Sequence, residues 1–200
     1  MNTELDQEIL RLRELMPASG RMFVRLQPRP KQAQVLVAPR PRPWNPDLRP
    51  IYLNLHLWQQ LPRSQRDLLF LRAVAWLVSV PWFQPTWYQG LALVSLTATA
   101  VELSRGEVMG LIVAGGLTTL ATRRVWRDWR GPQRDLEADE AAIATAQRRG
   151  YSRATAAAAL LAGLESVAQI EGRRGLSFRE AVRAQQLRAI AQTVASRRES

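Results

Sequence analysis

The chain of 200 residues contains no cysteine and a single histidine, His56. The absence of cysteine excludes disulfide bonds, thiolate metal sites and thiol nucleophiles, and it agrees with a reducing compartment. One imidazole cannot supply the two histidines that a zinc hydrolase helix requires. The sequence also lacks a nucleophile elbow and a phosphate-binding glycine loop. These absences exclude a working Cys/His hydrolase, and we expect no bound metal and no cofactor.

Acidic residues and lysine are scarce as well. The chain has seventeen acidic residues and 28 lysine or arginine residues, which gives a net charge of +11. Among those 28, Lys31 is the one lysine. Residues 123–200 hold fifteen of the arginines against nine carboxylates. Arginine suits contacts with phosphate and carboxylate groups, but genomic base composition alone also produces arginine-rich chains. Both explanations stay open at this point.

The N-terminal region lacks the basic start and continuous apolar core of an export signal. Residues 1–16 instead carry apolar side chains at helical spacing, which predicts an amphipathic helix. Three short runs rich in β-branched and aromatic residues follow at 21–26, 34–38 and 51–55, separated by proline-rich loops. These runs predict two or three strands, so the expected fold class is α+β and mainly helical.

Helix boundaries are predictable beyond residue 132. A helix should end at Gly150, and Ser152 is the expected N-cap of an alanine-rich helix that continues to about residue 171. Ser177 and Glu180 have the spacing of a capping box at the start of a last helix. We expect that helix to pack against its neighbours and to expose a basic face.

A long uncharged segment occupies the centre of the chain. A helix should begin near Ser64, where Ser64 and Asp67 have the spacing of a capping pair. No charged residue occurs between positions 73 and 101, and a second uncharged run covers 108–122. About 20 apolar residues cross a bilayer, so residues 87–103 and 108–122 predict a membrane-spanning helical hairpin.

This hairpin would have Arg105 and Glu107 at its tip. Arginines flank the apolar region on both sides, and the positive-inside rule then puts both termini in the cytoplasm. The flanking arginines after the hairpin are Arg123, Arg124, Arg127 and Arg130. A hairpin buried in a soluble core is the alternative, and closely packed glycines would allow it.

A segment beyond the hairpin resembles the third-ligand region of HtpX-like and CAAX prenyl protease gluzincins. It reads Arg134-Asp135-Leu136-Glu137-Ala138-Asp139-Glu140-Ala141-Ala142, followed by Gly150-Tyr151-Ser152. In that family a glutamate binds zinc and an aspartate four residues later supports the site, so the counterparts are Asp135 and Asp139. Such enzymes also carry a hydrophobic hairpin like residues 77–122. The resemblance covers about residues 51–165, with the layout of small membrane proteins of cyanobacterial type.

The resemblance implies an upstream HExxH helix, but the corresponding residues are Arg72, Ala73 and Trp76. Metal binding there needs two imidazoles at i and i+4, with a glutamate between them as general base. The resemblance therefore implies a pseudopeptidase without catalytic residues. If the layout is inherited, we expect Arg72 to face Asp135 and Asp139 across the former metal site, because a guanidinium can bond two buried carboxylates. The alternative is that Arg72 extends from its helix to an interface.

Two functions follow from these observations. The first is a non-catalytic, peptidase-like membrane protein that binds or regulates a protein partner. The alternative is a basic helical protein that binds nucleic acid or anionic lipid, although no recognised nucleic-acid motif is present. A metal-dependent peptidase with unusual ligands is a third, weaker reading, and no small-molecule substrate is indicated.

The expected domain organisation has three parts. An amphipathic helix occupies residues 1–20, and a degenerate peptidase-like domain occupies 21–165, with its hydrophobic hairpin at about 77–122. A basic helical region then covers residues 166–200.

Overall fold

The structure, a computed structural model, describes residues 3–39, 49–79 and 133–196. These residues belong to one compact unit, which is formed by Met1–Val80 together with Gln133–Ser200. A second unit, Pro81–Pro132, lies outside the described residues. The compact unit is therefore assembled from two stretches of chain that are far apart in sequence.

The first stretch contains four helices and three strands. Helix α1 spans Thr3–Leu15 and α2 spans Ala18–Phe23. The strands are β1 (Val24–Pro28), β2 (Leu36–Val37) and β3 (Arg49–Leu53). Helix α3 (Leu55–Trp58) is a single turn capped by Asn54, and α4 (Arg63–Ser79) follows.

The sheet is small and mixed, with β3 in the centre of the order β1-β3-β2. Strand β1 pairs with β3 in parallel, with Val24 opposite Arg49, while β2 pairs with β3 antiparallel, with Leu36 opposite Leu53. In β3, alternate residues are buried, because successive side chains point to opposite faces of a sheet. Ile51 and Leu53 thus enter the core.

Helix α4 is the central element, since it contributes to two hydrophobic cores. Its residues Phe70, Val74 and Leu77 pack with the sheet, α1 and α3 in what we call the sheet-side core. Leu68 and Leu71 pack with the helices of the second stretch in the helix-side core. Helix α2 also packs closely against α4. A Cβ atom added at Gly20 would lie only 2.7 Å from Val74 Cγ1. Glycine at this position allows the contact.

The second stretch contains α5 (Gln133–Gln147), α6 (Arg153–Ile170) and α7 (Phe178–Ser196). The predicted boundaries are confirmed. Gly150, with a φ of +93°, follows the end of α5, and the Ser152 hydroxyl accepts a hydrogen bond from Thr155 N at 3.1 Å. Ser177 N donates to Glu180 Oε2 at 2.8 Å, which completes the capping box.

The predicted α+β, mainly helical class is confirmed, but several local expectations are wrong. Residues 21–23 are the end of α2 and not a strand. Asp67 does not cap α4; it is buried and bonds Arg11 and Tyr151. Helix α7 packs against its neighbours as predicted, with Leu187 in the helix-side core, but Phe178 at its start is 78% exposed. The gluzincin-like arrangement of helices is not shown either.

The prediction of a membrane-spanning hairpin is also corrected. Within residues 3–39, 49–79 and 133–196, no helix is both long enough and apolar enough to cross a membrane. The two runs on which the expectation depended, 87–103 and 108–122, lie outside the described residues. A hairpin that anchors the chain with both termini in the cytoplasm is thus not supported.

Candidate functional site: an arginine–carboxylate cluster and an arginine groove

Arg72, Asp135 and Asp139 come together where α4 packs against α5. Arg72 Nη2 donates to Asp135 Oδ1 at 2.6 Å, and Arg72 Nε lies 3.5 Å from Asp139 Oδ1. The two carboxylates are one helical turn apart on α5, so both can face one guanidinium. The ion pairs expected from the charges are therefore present.

Two arginines of α7 complete this group, which we call the Arg72 cluster. Arg183 forms a bidentate pair with Asp139, through Nε to Oδ2 at 2.7 Å and Nη2 to Oδ1 at 2.8 Å. Arg179 Nη2 lies 3.1 Å from Asp135 Oδ2. The sequence held a signal for this contact that the prediction missed: Arg179 and Arg183 repeat the four-residue spacing of Asp135 and Asp139.

The Arg72 cluster holds α4, α5 and α7 together by charge. Burial lowers the pKa of Arg72, as does nearby Arg183, whereas Asp139 and Asp135 act in the opposite direction. An arginine stays protonated in proteins despite such effects. Three guanidiniums thus face two carboxylates, and a variant that lost one carboxylate would leave buried positive charge without compensation.

The chemistry open to the Arg72 cluster is narrow. Each of the four carboxylate oxygens has a guanidinium nitrogen within 3.5 Å, so none is free to act as a metal ligand or general base. In the part of the chain that the structure describes, no group of three or more His, Cys, Asp or Glu side chains could hold a metal ion. The arrangement suits a structural tie between helices.

The remaining predicted site residues lie elsewhere. Ala73 is buried in the sheet-side core, and Trp76 packs partly against the same core. His56 is exposed on α3, with its backbone oxygen 3.5 Å from Gln60 Nε2. The predicted hairpin tip and basic flanks fall outside the described residues: Arg105, Glu107, Arg123, Arg124, Arg127 and Arg130.

A second polar network, centred on Glu8 of α1, was not predicted. Its Oε1 accepts hydrogen bonds from Trp58 Nε1 and Arg66 Nη1, both at 3.0 Å, and Arg11 binds both of its carboxylate oxygens at 2.8 Å. Burial raises the pKa of Glu8, but the bonds from Arg11 and Trp58 outweigh it and lower the pKa to about 2. Arg11 also bonds Asp67, so α1, α3 and α4 are joined.

The N-terminal face carries a groove lined by arginine. Arg13 of α1, Arg21 of α2 and Arg25 of β1 are exposed around a cavity of about 130 Å³. We call it the arginine groove. Its apolar lining residues are Ile9, Met16, Val24 and Leu26, and no acidic residue lines it.

Two exposed apolar side chains follow Arg21 directly in sequence. Met22 is 73% exposed, and Phe23 is about one third exposed. Both lie in sequence between the groove residues Arg21 and Arg25. The Arg49 guanidinium approaches the Phe23 ring, with its carbon 5.2 Å from the ring centroid. The segment from Arg21 to Arg25 thus carries exposed apolar side chains as well as two exposed arginines.

Comparison with known proteins gives a family match. Residues 10–151 match the family described as "Protein of unknown function (DUF3318)". The chain is also 29% identical over 148 residues to "Thylakoid membrane protein slr1949" of Synechocystis, which covers 72% of this chain and 69% of the relative. No solved structure matches the chain significantly.

These comparisons overturn the resemblance to HtpX-like and CAAX prenyl proteases. The matching family covers most of the chain, including Arg72, Asp135 and Asp139, and its description names no peptidase. The reading of the chain as a peptidase-like pseudoenzyme is therefore wrong. Ordinary amphipathic helices contain an Asp135-type motif with small and acidic residues at the same spacing, so the motif carries little family information. The ion pairs of the Arg72 cluster are present in the structure, but they do not indicate descent from a peptidase.

Proposed function

We propose that the chain, which belongs to the DUF3318 family, is a non-catalytic protein that associates peripherally with an anionic membrane surface. Two observations support this proposal: three exposed arginines line the arginine groove, and Met22, which follows Arg21 in sequence, is 73% exposed. The relative from Synechocystis is named as a thylakoid membrane protein. That name supports a membrane setting, and it does not require a spanning helix.

The physical basis is the pairing of two weak forces. An arginine near an anionic leaflet contributes roughly 1 kcal/mol, and an apolar side chain that leaves water for the headgroup boundary adds roughly 1.5 to 3 kcal/mol. Three arginines and Met22 together suffice for reversible attachment. The electrostatic part of the binding free energy acts over about one Debye length, which becomes shorter as salt is added. High salt should therefore release the protein.

A non-catalytic role is supported by the chemistry of the described residues. The carboxylates of the Arg72 cluster are occupied by guanidiniums, and Glu8 is bonded to Arg11, Arg66 and Trp58. Such carboxylates are poorly placed to take a proton from a substrate. Binding is thus better supported than catalysis.

Vesicle flotation tests the proposal with the full chain. We expect the protein to float with vesicles of phosphatidylcholine containing about a third phosphatidylglycerol, to stay behind with pure phosphatidylcholine, and to be released by high salt. Met22→Glu should abolish flotation. Phe178→Glu is the matched control, because Phe178 is also exposed but far in sequence from the groove.

Two outcomes would overturn the proposal. One is equal flotation of the wild type and the Met22→Glu variant. The other is binding to duplex DNA or RNA, with the salt dependence expected of phosphate contacts, by a protein that ignores anionic vesicles. That second result would establish the nucleic-acid function instead.

A further inference from the structure

The three arginines of the arginine groove surround one cavity whose base is buried. Its three arginines come from three elements, α1, α2 and β1, and converge on one cavity. Met16 and Val24, which form its floor, are buried and belong to the sheet-side core. The guanidiniums therefore extend from a rigid base, which reduces the entropy lost when a ligand orders them.

Hydrogen bonding leaves the guanidiniums available. Arg21 Nε donates to Met16 O at 3.3 Å, which orients Arg21 and leaves its two terminal nitrogens for other acceptors. No carboxylate of the described residues lies within salt-bridge distance of Arg13 or Arg25. A planar guanidinium can bond two oxygens of one phosphate, and an unpaired arginine does not first have to give up an internal partner.

The volume of the groove limits the ligand. Its volume of about 130 Å³ is smaller than that of pockets for whole small molecules, which measure roughly 300 to 1,000 Å³. A phosphate with its first carbons fits such a space. The exposed Met22 and Phe23, which lie in sequence between the groove residues Arg21 and Arg25, point to an apolar continuation of the ligand.

We infer that the arginine groove is a binding site for the phosphate headgroup of an anionic lipid that stays in its membrane. This inference rests on the proposed membrane association and adds a defined site to it. Arg13, Arg21 and Arg25 bind the phosphate oxygens, the apolar floor contacts the glycerol carbons, and Met22 enters the headgroup boundary.

The test measures lipid binding without a membrane, using the full chain and isothermal titration calorimetry. Dihexanoyl phosphatidylglycerol below its critical micelle concentration should bind with one site per chain, more tightly than dihexanoyl phosphatidylcholine or inorganic phosphate. Arg13→Gln and Arg25→Gln should each weaken binding about fivefold, the effect of roughly one arginine–lipid interaction. Arg148→Gln is the control, because it removes the same charge from an exposed position outside the groove.

The outcomes separate this site from the broader proposal. If the groove variants bind the short-chain lipid like the wild type, or if Arg148→Gln weakens binding equally, the groove is not the headgroup site. Should those variants still float with anionic vesicles while Met22→Glu does not, the membrane association stands without it. Equal affinity for inorganic phosphate would assign the groove to a free oxyanion and overturn the lipid inference. Failure of the wild type in both assays would overturn both.

Discussion

Arginine is the cation in each ion pair of the described residues, and at three places its geometry matters as much as its charge. Arg11, Arg173 and Arg183 each hold a carboxylate through two nitrogens. Lysine offers a point charge and cannot form such a fork. At these positions the side-chain contacts account for arginine, whatever base composition contributes elsewhere in the chain.

The Arg72 cluster gives a prediction at the scale of one residue. Arg183→Ala removes the bidentate partner of Asp139, and Asp139 is almost fully buried. The free energy of unfolding should therefore fall by roughly 3 to 5 kcal/mol. Arg188→Ala on the same helix breaks an exposed pair with Glu165 and should cost about 1 kcal/mol or less. Urea unfolding followed by circular dichroism compares the two. Equal costs would show that the cluster adds nothing beyond surface charge.

Sequence reasoning reached part of this chemistry. The pairing of Arg72 with Asp135 and Asp139 was expected from the gluzincin resemblance, so a correct contact followed from a family assignment that is wrong. The Glu8 network was not predictable, since its partners Trp58 and Arg66 lie at least 50 positions away and no local pattern links them.

At the scale of elements, the boundaries that depend on local chemistry were predicted best. Ser152, Ser177 and Gly150 act within one turn of their own position, so their roles can be read from a few residues. Helix α2 and the parallel pairing of β1 with β3 were missed, because tertiary packing decides both. The short apolar run at 21–26 suited a strand or a helix equally.

Helix α7 yields a prediction about pH. Burial raises the pKa of Glu180, but bonds from Arg173 and Ser177 outweigh it and lower the pKa to about 2. A lowered folded-state pKa contributes stability that is present above the ordinary value near 4.5 and is lost as the pH falls towards 2. Glu180→Gln should therefore destabilise by roughly 1 to 3 kcal/mol at pH 7 and progressively less below pH 4.

Unfolding free energies measured between pH 2.5 and 7 check this expectation. The control is Glu165→Gln, whose carboxylate forms an exposed pair and should change stability by less than about 0.5 kcal/mol. If the difference in unfolding free energy between wild type and Glu180→Gln were the same at every pH, the lowered pKa of Glu180 would not be its cause.

At the scale of the whole molecule, the compact unit is formed by two stretches of chain that residues 81–132 separate in sequence. Arg72 of α4 contacts Asp135 of α5 directly, and Ser79 lies only about 10 Å further along α4 at 1.5 Å per residue. A linker of about six residues can reach up to roughly 20 Å. Residues 79 and 133 should therefore be connectable without residues 80–132.

We predict that the chain with residues 81–132 replaced by a six-residue Gly/Ser linker folds cooperatively. Its stability should stay within roughly 1 to 2 kcal/mol of that of the full chain, because Met1–Val80 and Gln133–Ser200 form a compact unit by themselves and closing a six-residue linker costs little entropy. Thermal and urea unfolding followed by circular dichroism measure this. A Gly/Ser linker of the original length is the matched control, and a loss of cooperative unfolding in both variants would show that residues 81–132 are needed for folding.

The two-sided burial of α4 has a consequence during synthesis. Phe70, Val74 and Leu77 can meet the sheet as soon as α4 leaves the ribosome, because the sheet precedes them in the chain. Leu68 and Leu71 must wait for α5 and α6, and about 80 residues separate Ser79 from Leu160. At roughly 5 to 20 residues per second, the nascent chain presents this apolar stripe for roughly 4 to 16 seconds. Leu68 and Leu71 therefore remain without their native partners on α5 and α6 during that interval.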